Sequence, residues 1–140
     1  MLLGWLKKFL GSFGRFFAPR TEVFLLGRHG ERLASRFLKK KGYKILRRNW
    51  RYGHSELDLI AVDTEVLVFV EVRLRQKAAL VHGIGSISRK KKFALKRACF
   101  AYLKKFAPNT PTYRFDVIDI EHDSRENTDT IFHFEIVELF

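Results

Sequence analysis

Two short hydrophobic runs, Leu57–Val62 and Val66–Val72, stand on either side of Asp63-Thr64-Glu65, and both carry carboxylates. Short apolar runs rich in β-branched residues read as strands, and so small a gap reads as a hairpin. Glu56 and Asp58 open the first run, and Glu71 and Arg73 close the second. Carboxylates in such segments are costly unless they are paired or hold a metal. A two-residue loop at Thr64-Glu65 pairs Asp63 with Val66, which sets Asp58 opposite Glu71 and Glu56 opposite Arg73. Opposed residues share a face with Cβ atoms about 4.5–5.5 Å apart. That separation suits two carboxylates around one hard cation such as Mg²⁺. A four-residue loop keeps this pairing, whereas a three-residue loop turns one acid to the other face. Thr-Glu is weak chemistry for a tight turn, which favours Asn-Gly or Asp-Gly. The competing reading leaves Asp58 and Glu71 at solvated strand ends, or paired with nearby arginines.

The other elements follow from periodicity. Gly30–Lys41 is predicted as a helix, with Leu33, Ala34, Phe37 and Leu38 inward, Arg32, Arg36, Lys39 and Lys40 outward, and Gly42 as its stop. Tyr43–Trp50 reads as an edge strand because of Arg47 and Arg48. Leu57–Val62 and Val66–Arg73 are apolar on both faces, as central strands covered by helices on each side would be. Lys77–Ser88 reads as a loop, then Ile87–Phe106 as a long helix with Ala94, Leu95, Ala98, Tyr102 and Phe106 inward. Two strands, Tyr113–Ile120 and Ile131–Leu139, flank a polar turn at His122–Asp129. The order α-β-β-β-α-β-β indicates an α/β domain with a mixed sheet flanked by helices.

Charge points to the partner. The chain has 27 Lys+Arg against 15 Asp+Glu, a net +12, which favours nucleic acid or an anionic membrane surface. Arg89-Lys90-Lys91-Lys92 with Lys96 crowd one helix with positive charge, and with Arg47, Arg48 and Arg51 they read as a phosphate-binding surface. The plainer alternative is a solvated helix face. Arg73 leaves the same strand face as Glu71, and Arg75 and Lys77 continue that face if the strand extends. A cation there can stabilise charge developing on a phosphate, although arginine cannot serve as a base. Glu31, in the first turn of its helix, is either a third acid or a plain complement to the helix dipole. The single cysteine, Cys99, allows no intramolecular disulfide or cysteine-rich zinc cluster and reads as a core residue of a cytosolic protein. The five histidines show no zinc spacing, and P-loop and GxSxG motifs are absent.

Residues 1–20 form a separate segment ahead of a domain spanning 21–140. Leu2, Leu6, Phe9, Leu10, Phe13, Phe16 and Phe17 recur at helical spacing beside Lys7, Lys8 and Arg15. This is the pattern of a basic amphipathic helix that lies on a membrane surface or docks on protein. Lys7 and Lys8 interrupt it too early for a membrane span or a secretory signal.

Several motifs resemble one family, the YraN-like bacterial proteins. These are Gly27-Arg28-His29-Gly30-Glu31-Arg32-Leu33-Ala34, Gly42-Tyr43-Lys44-Ile45-Leu46, Asn49-Trp50-Arg51, Ser55-Glu56-Leu57-Asp58-Leu59-Ile60, Phe69-Val70-Glu71-Val72-Arg73 and Arg114-Phe115-Asp116-Val117. That family is similar to the restriction-endonuclease-like superfamily with its PD-(D/E)xK core. The resemblance implies that Asp58 and Glu71 bind Mg²⁺ or Mn²⁺, Glu31 is the helix acid and Glu56 supports the site. It also implies nuclease chemistry with no assigned substrate. The chain departs from the pattern at Arg73, where a lysine is expected, and at Ser55, where a glycine is usual. The expectations are therefore a metal-dependent nuclease, or a non-catalytic nucleic-acid-binding module on the same fold, or a domain recruited to the inner membrane by residues 1–20. Homodimers are common among nucleases of branched DNA, so a dimer is a further expectation.

Overall fold

The computed structural model describes residues 20–77, 87–110 and 112–136. The amphipathic segment read at residues 1–20 falls almost wholly outside these residues, as does most of the loop read at Lys77–Ser88. Helix α1 spans Arg20–Lys40, strands β1, β2 and β3 span Lys44–Tyr52, Ser55–Asp63 and Val66–Gln76, helix α2 spans Arg89–Phe106, and strands β4 and β5 span Tyr113–Asp123 and Thr128–Ile136. The expected order α-β-β-β-α-β-β is the order observed. The five strands form one sheet in sequence order, β1-β2-β3-β4-β5. Every pairing is antiparallel except β3 with β4. Parallel neighbours need a crossover, and α2 makes it. The sheet is thus mixed, the architecture expected of a restriction-endonuclease-like domain.

Alternation along the strands divides the core in two. On β3 and β4, Leu67, Phe69, Phe115 and Val117 pack with Leu95, Ala98, Cys99 and Tyr102 of α2. The intervening Val68, Val70, Ile118 and Ile120 pack with Ala34 and Leu38 of α1. Each face of the sheet therefore has its own helix, as the doubly apolar runs require. Cys99 is buried, in keeping with a core thiol. Among the described residues, no helix is long and apolar enough to cross a membrane.

The structure moves several of the expected boundaries. Helix α1 starts at Arg20 rather than Gly30. A helical glycine costs about 1 kcal/mol relative to alanine, but at Gly30 it serves close packing. A Cβ there would meet Leu74 Cβ at 3.4 Å and Val72 Cγ1 at 3.6 Å. At its other end, α1 stops where predicted. Gly42 takes φ +94°, its N–H bonds Lys39 O, and the Tyr43 N–H bonds Leu38 O. This is a Schellman closure. Phe106 is not inward but 45% exposed, because α2 ends there at the sheet margin. The turn expected at His122–Asp129 is shorter, since β4 runs to Asp123 and β5 resumes at Thr128. His122 is buried and its Nδ1 lies 2.8 Å from Asp129 Oδ1, so a pair within the ladder replaces the solvated turn expected there.

The hairpin register is the one read from the sequence, with Asp63 opposite Val66. The two-residue turn closes despite its poor chemistry: Thr64 sits at φ 56°, an uncommon conformation for a β-branched residue.

Candidate active site

The β2–β3 ladder runs from Asp63↔Val66 to Leu59↔Val70 and ends there. One more step would set Asp58 against Glu71. Instead the Asp58 side chain takes the ladder's place, its Oδ2 accepting the Val72 N–H at 2.8 Å. On the other side, β1 and β2 pair at Arg48↔Leu59 and Trp50↔Leu57. Asn49, between them, turns to φ 49°, a conformation asparagine tolerates. Its amide donates to Glu31 Oε2 at 2.8 Å and to Glu56 Oε1 at 3.3 Å. The sheet is therefore locally opened where the acids collect.

Glu31, Glu56 and Asp58 each offer an oxygen within 4.8 Å of the others. Glu31 arrives from α1, one residue beyond the close approach of Gly30 to β3. Glu71 joins from β3 and is only 6% exposed. Its Oε2 is buried with no hydrogen-bond partner, while its Oε1 lies 3.3 Å from Lys91 Nζ. Burial and then the adjacent Glu71 carboxylate hold Asp58 well above the ordinary carboxylate range. Burial likewise raises Glu71, although Lys91 and Arg73 pull it back. The pair Asp58 and Glu71 is under-compensated by the protein's own cations.

The residues present fit a hard divalent cation. The donors are all carboxylate oxygens, one of them orphaned, and such ligands suit Mg²⁺ or Mn²⁺. Beside them is a cleft of about 550 Å³ lined by Glu71, Val72, Arg73, Arg75, Ser88 and Lys91. Ser88 caps α2, its Oγ accepting the Lys91 N–H at 3.2 Å. The first turn, Arg89-Lys90-Lys91, contains no acid. Cations at a helix N-terminus oppose the macrodipole, so this end of α2 is strongly electropositive and suited to an anion.

The basic residues read from the sequence do not form one surface. Lys91 lines the cleft, and Arg89 and Lys90 are exposed beside it in the first turn of α2. Arg75 lies against buried Asp119 at 3.4 Å. Lys77 lies one residue past the end of β3 and is bound to Asp123 at 2.8 Å, so it does not continue the face of Glu71 and Arg73. Arg48 donates to Ser35 of α1. Arg51 ion-pairs with Glu56, the partner that the register had offered to Arg73. Arg47 lies over the Phe106 ring, and Lys96 over Phe100. Lys92 is on α2, partly buried. Two site residues escaped the sequence reading: Asn49 as a bridge between acids, and Lys91 as the lysine at Glu71. An asparagine inside a strand, where it is disfavoured, was the available signal for the first. For the second there was none beyond the basic run.

An opened mixed sheet with four gathered acids, under the basic N-terminus of a helix, defines an α/β domain with an acidic, cation-fitting cleft. The chain belongs to the uncharacterised protein family UPF0102, whose model matches residues 30–120 and which is the YraN-like family its motifs resemble. A UPF0102 protein of Chlorobium phaeobacteroides is 43% identical over 99 residues, covering 70% of this chain and 79% of the relative. One from Pelotomaculum thermopropionicum is 42% identical over 111 residues, covering 79% and 92% respectively. A third, from Marinobacter nauticus, is 44% identical over 95 residues, covering 68% and 77%.

Proposed function

We propose that the chain is a metal-dependent nuclease that hydrolyses phosphodiester bonds in nucleic acid. The observation that carries this reading is the buried, under-compensated pair Asp58 and Glu71 beside Lys91. Asp58 and Glu71, with Glu31 and Glu56, would hold Mg²⁺ or Mn²⁺, which supplies a water of lowered pKa and Lewis acidity toward the phosphate. The remaining roles fall to the chain's own groups. The Val72 N–H fixes one Asp58 oxygen, and the Asn49 amide orients Glu31 and Glu56. Lys91 and Arg73 set positive charge beside the cleft, where negative charge develops on the scissile phosphate. Lys91 supplies the compact ammonium that Arg73, with its planar guanidinium, does not. Arg89 and Lys90 hold flanking phosphates.

The test is cleavage of labelled single-stranded, duplex and branched DNA and of RNA, with Mg²⁺ or Mn²⁺ and an EDTA control. Wild type is expected to cut, and Asp58→Ala to leave the products undetectable. Lys91→Ala should slow cutting by roughly 10²–10³-fold, the usual cost of one charge-stabilising group. Cutting that survives both Asp58→Ala and Glu71→Ala overturns the reading. Binding without cutting makes the chain a nucleic-acid-binding module on a nuclease-like fold.

A further inference from the structure

Strand β1 ends the sheet, and its exposed edge carries rings among cations. Trp50 and Tyr52 lie parallel, centroids 6.3 Å apart and planes 3° apart. Trp50 is anchored edge-on to Tyr102 at 5.3 Å and to Phe106 at 6.3 Å. Tyr52 is 52% exposed and Phe106 45%. Arg47 and Lys105 lie over the Phe106 ring at 5.9 and 5.1 Å. On the same strand, the residues flanking Trp50 reach the acidic cluster: Asn49 bonds Glu31 and Glu56, and Arg51 pairs with Glu56.

Aromatic rings on an edge strand can also serve strand addition by another chain. This edge is built against that. It has a register shift between Ile45 and Arg47, a left-handed Asn49, and three arginines at Arg47, Arg48 and Arg51. Rings interleaved with cations and placed beside an acidic site match the way proteins hold unpaired nucleotides, by stacking on a base while cations track the backbone. We infer that Tyr52, backed by Trp50, is a stacking platform for an unpaired base, so that the substrate is nucleic acid with a single-stranded segment running along β1 into the acidic cleft. The inference rests on the proposed nuclease reading for the nature of the ligand, and it adds the substrate class.

The test is fluorescence anisotropy in EDTA, so that nothing is cut, on the full chain with two labelled DNAs: a blunt duplex and the same duplex with a single-stranded tail. Wild type should bind the tailed form more tightly. Tyr52→Ala should weaken binding of the tailed form by about tenfold, the loss of one stacked base, and leave the blunt duplex within about twofold. Tyr52→Phe, which keeps the ring, should bind as wild type does. Equal wild-type affinity for the two DNAs, or an equal loss on both in Tyr52→Ala, overturns the platform. So does a fall in mass by light scattering for Tyr52→Ala, which would make the strip a contact between copies of the chain. If wild type binds neither DNA, the platform falls, and the metal-dependent cleavage assay decides the nuclease reading by itself. If Tyr52→Ala is indifferent while Asp58→Ala still loses cleavage, only the platform falls.

Discussion

Adjacent strands of one sheet each bury a carboxylate, and the two are treated in opposite ways. Asp116 on β4 is fully buried, with Arg114 at 2.9 and 3.2 Å and His133 Nε2 at 2.8 Å. Arg114 reaches on to Tyr43 and Asp63, and Lys41 Nζ lies 2.8 Å from His133 Nδ1. This network joins the connection between α1 and β1 to β2, β4 and β5. Glu71 on β3 has one oxygen unpartnered and the other near a half-exposed lysine, and its carboxylate pushes the neighbouring Asp58 upward. A buried charge with a full set of partners fastens the fold. A buried charge left short of them marks a place where an external cation fits.

Asp116→Ala should have the largest effect on stability. It removes the main carboxylate partner of a buried guanidinium and is expected to cost about 3–5 kcal/mol in urea unfolding. A loss below about 1 kcal/mol would remove the structural half of the contrast. Asp58→Asn should do the reverse without metal, raising stability by about 1–2 kcal/mol as a buried charge is neutralised, while activity is lost. Asn49→Ala is expected to be intermediate. It should slow cleavage roughly tenfold by freeing Glu31 and Glu56, and change stability by about 1 kcal/mol, the worth of an ordinary hydrogen bond. An Asn49→Ala chain with normal kinetics would show that the bridge is not needed.

The exposed pair Lys77–Asp123 gives the smallest effect and the pH sign. The hydrogen bond from Lys77 holds Asp123 down at about 2, against an ordinary value of 3.8. A lowered carboxyl stabilises the fold above its unfolded value and loses that contribution as pH falls through the folded one. Asp123→Asn should therefore flatten the stability profile slightly between pH 4 and pH 2, as read by thermal unfolding in low salt. An unchanged acid limb would leave the pair without consequence.

How much of this was legible beforehand depends on whether a feature is local. The apolar runs, the Asp63↔Val66 register and the Gly42 stop each lie within one stretch of chain, so period and turn chemistry reveal them. The acids Glu56, Asp58 and Glu71 were visible for the same reason, as charges misplaced in apolar strands. The start of α1 was hidden because Gly30 resembles a helix break until its packing on Leu74 and Val72 is seen. The Asp116–His133–Arg114 network, the Asn49 bridge and the Lys91–Glu71 contact join separate elements, and only the sheet order and the α2 crossover bring them together. His122 looked like a turn residue because polar sequence is read as exposed, yet Asp129 makes its burial tolerable.

On the proposed reading, the Asp58–Glu71 pair is a buried charge held ready for a divalent cation. Thermal unfolding with and without Mn²⁺, on wild type and Asp58→Asn, tests it most directly. The expected result is a rise of several degrees for wild type with millimolar Mn²⁺, as ligand linkage to the native state requires, and no rise for Asp58→Asn. A wild-type transition indifferent to Mn²⁺, or an equal rise in Asp58→Asn, would contradict the account.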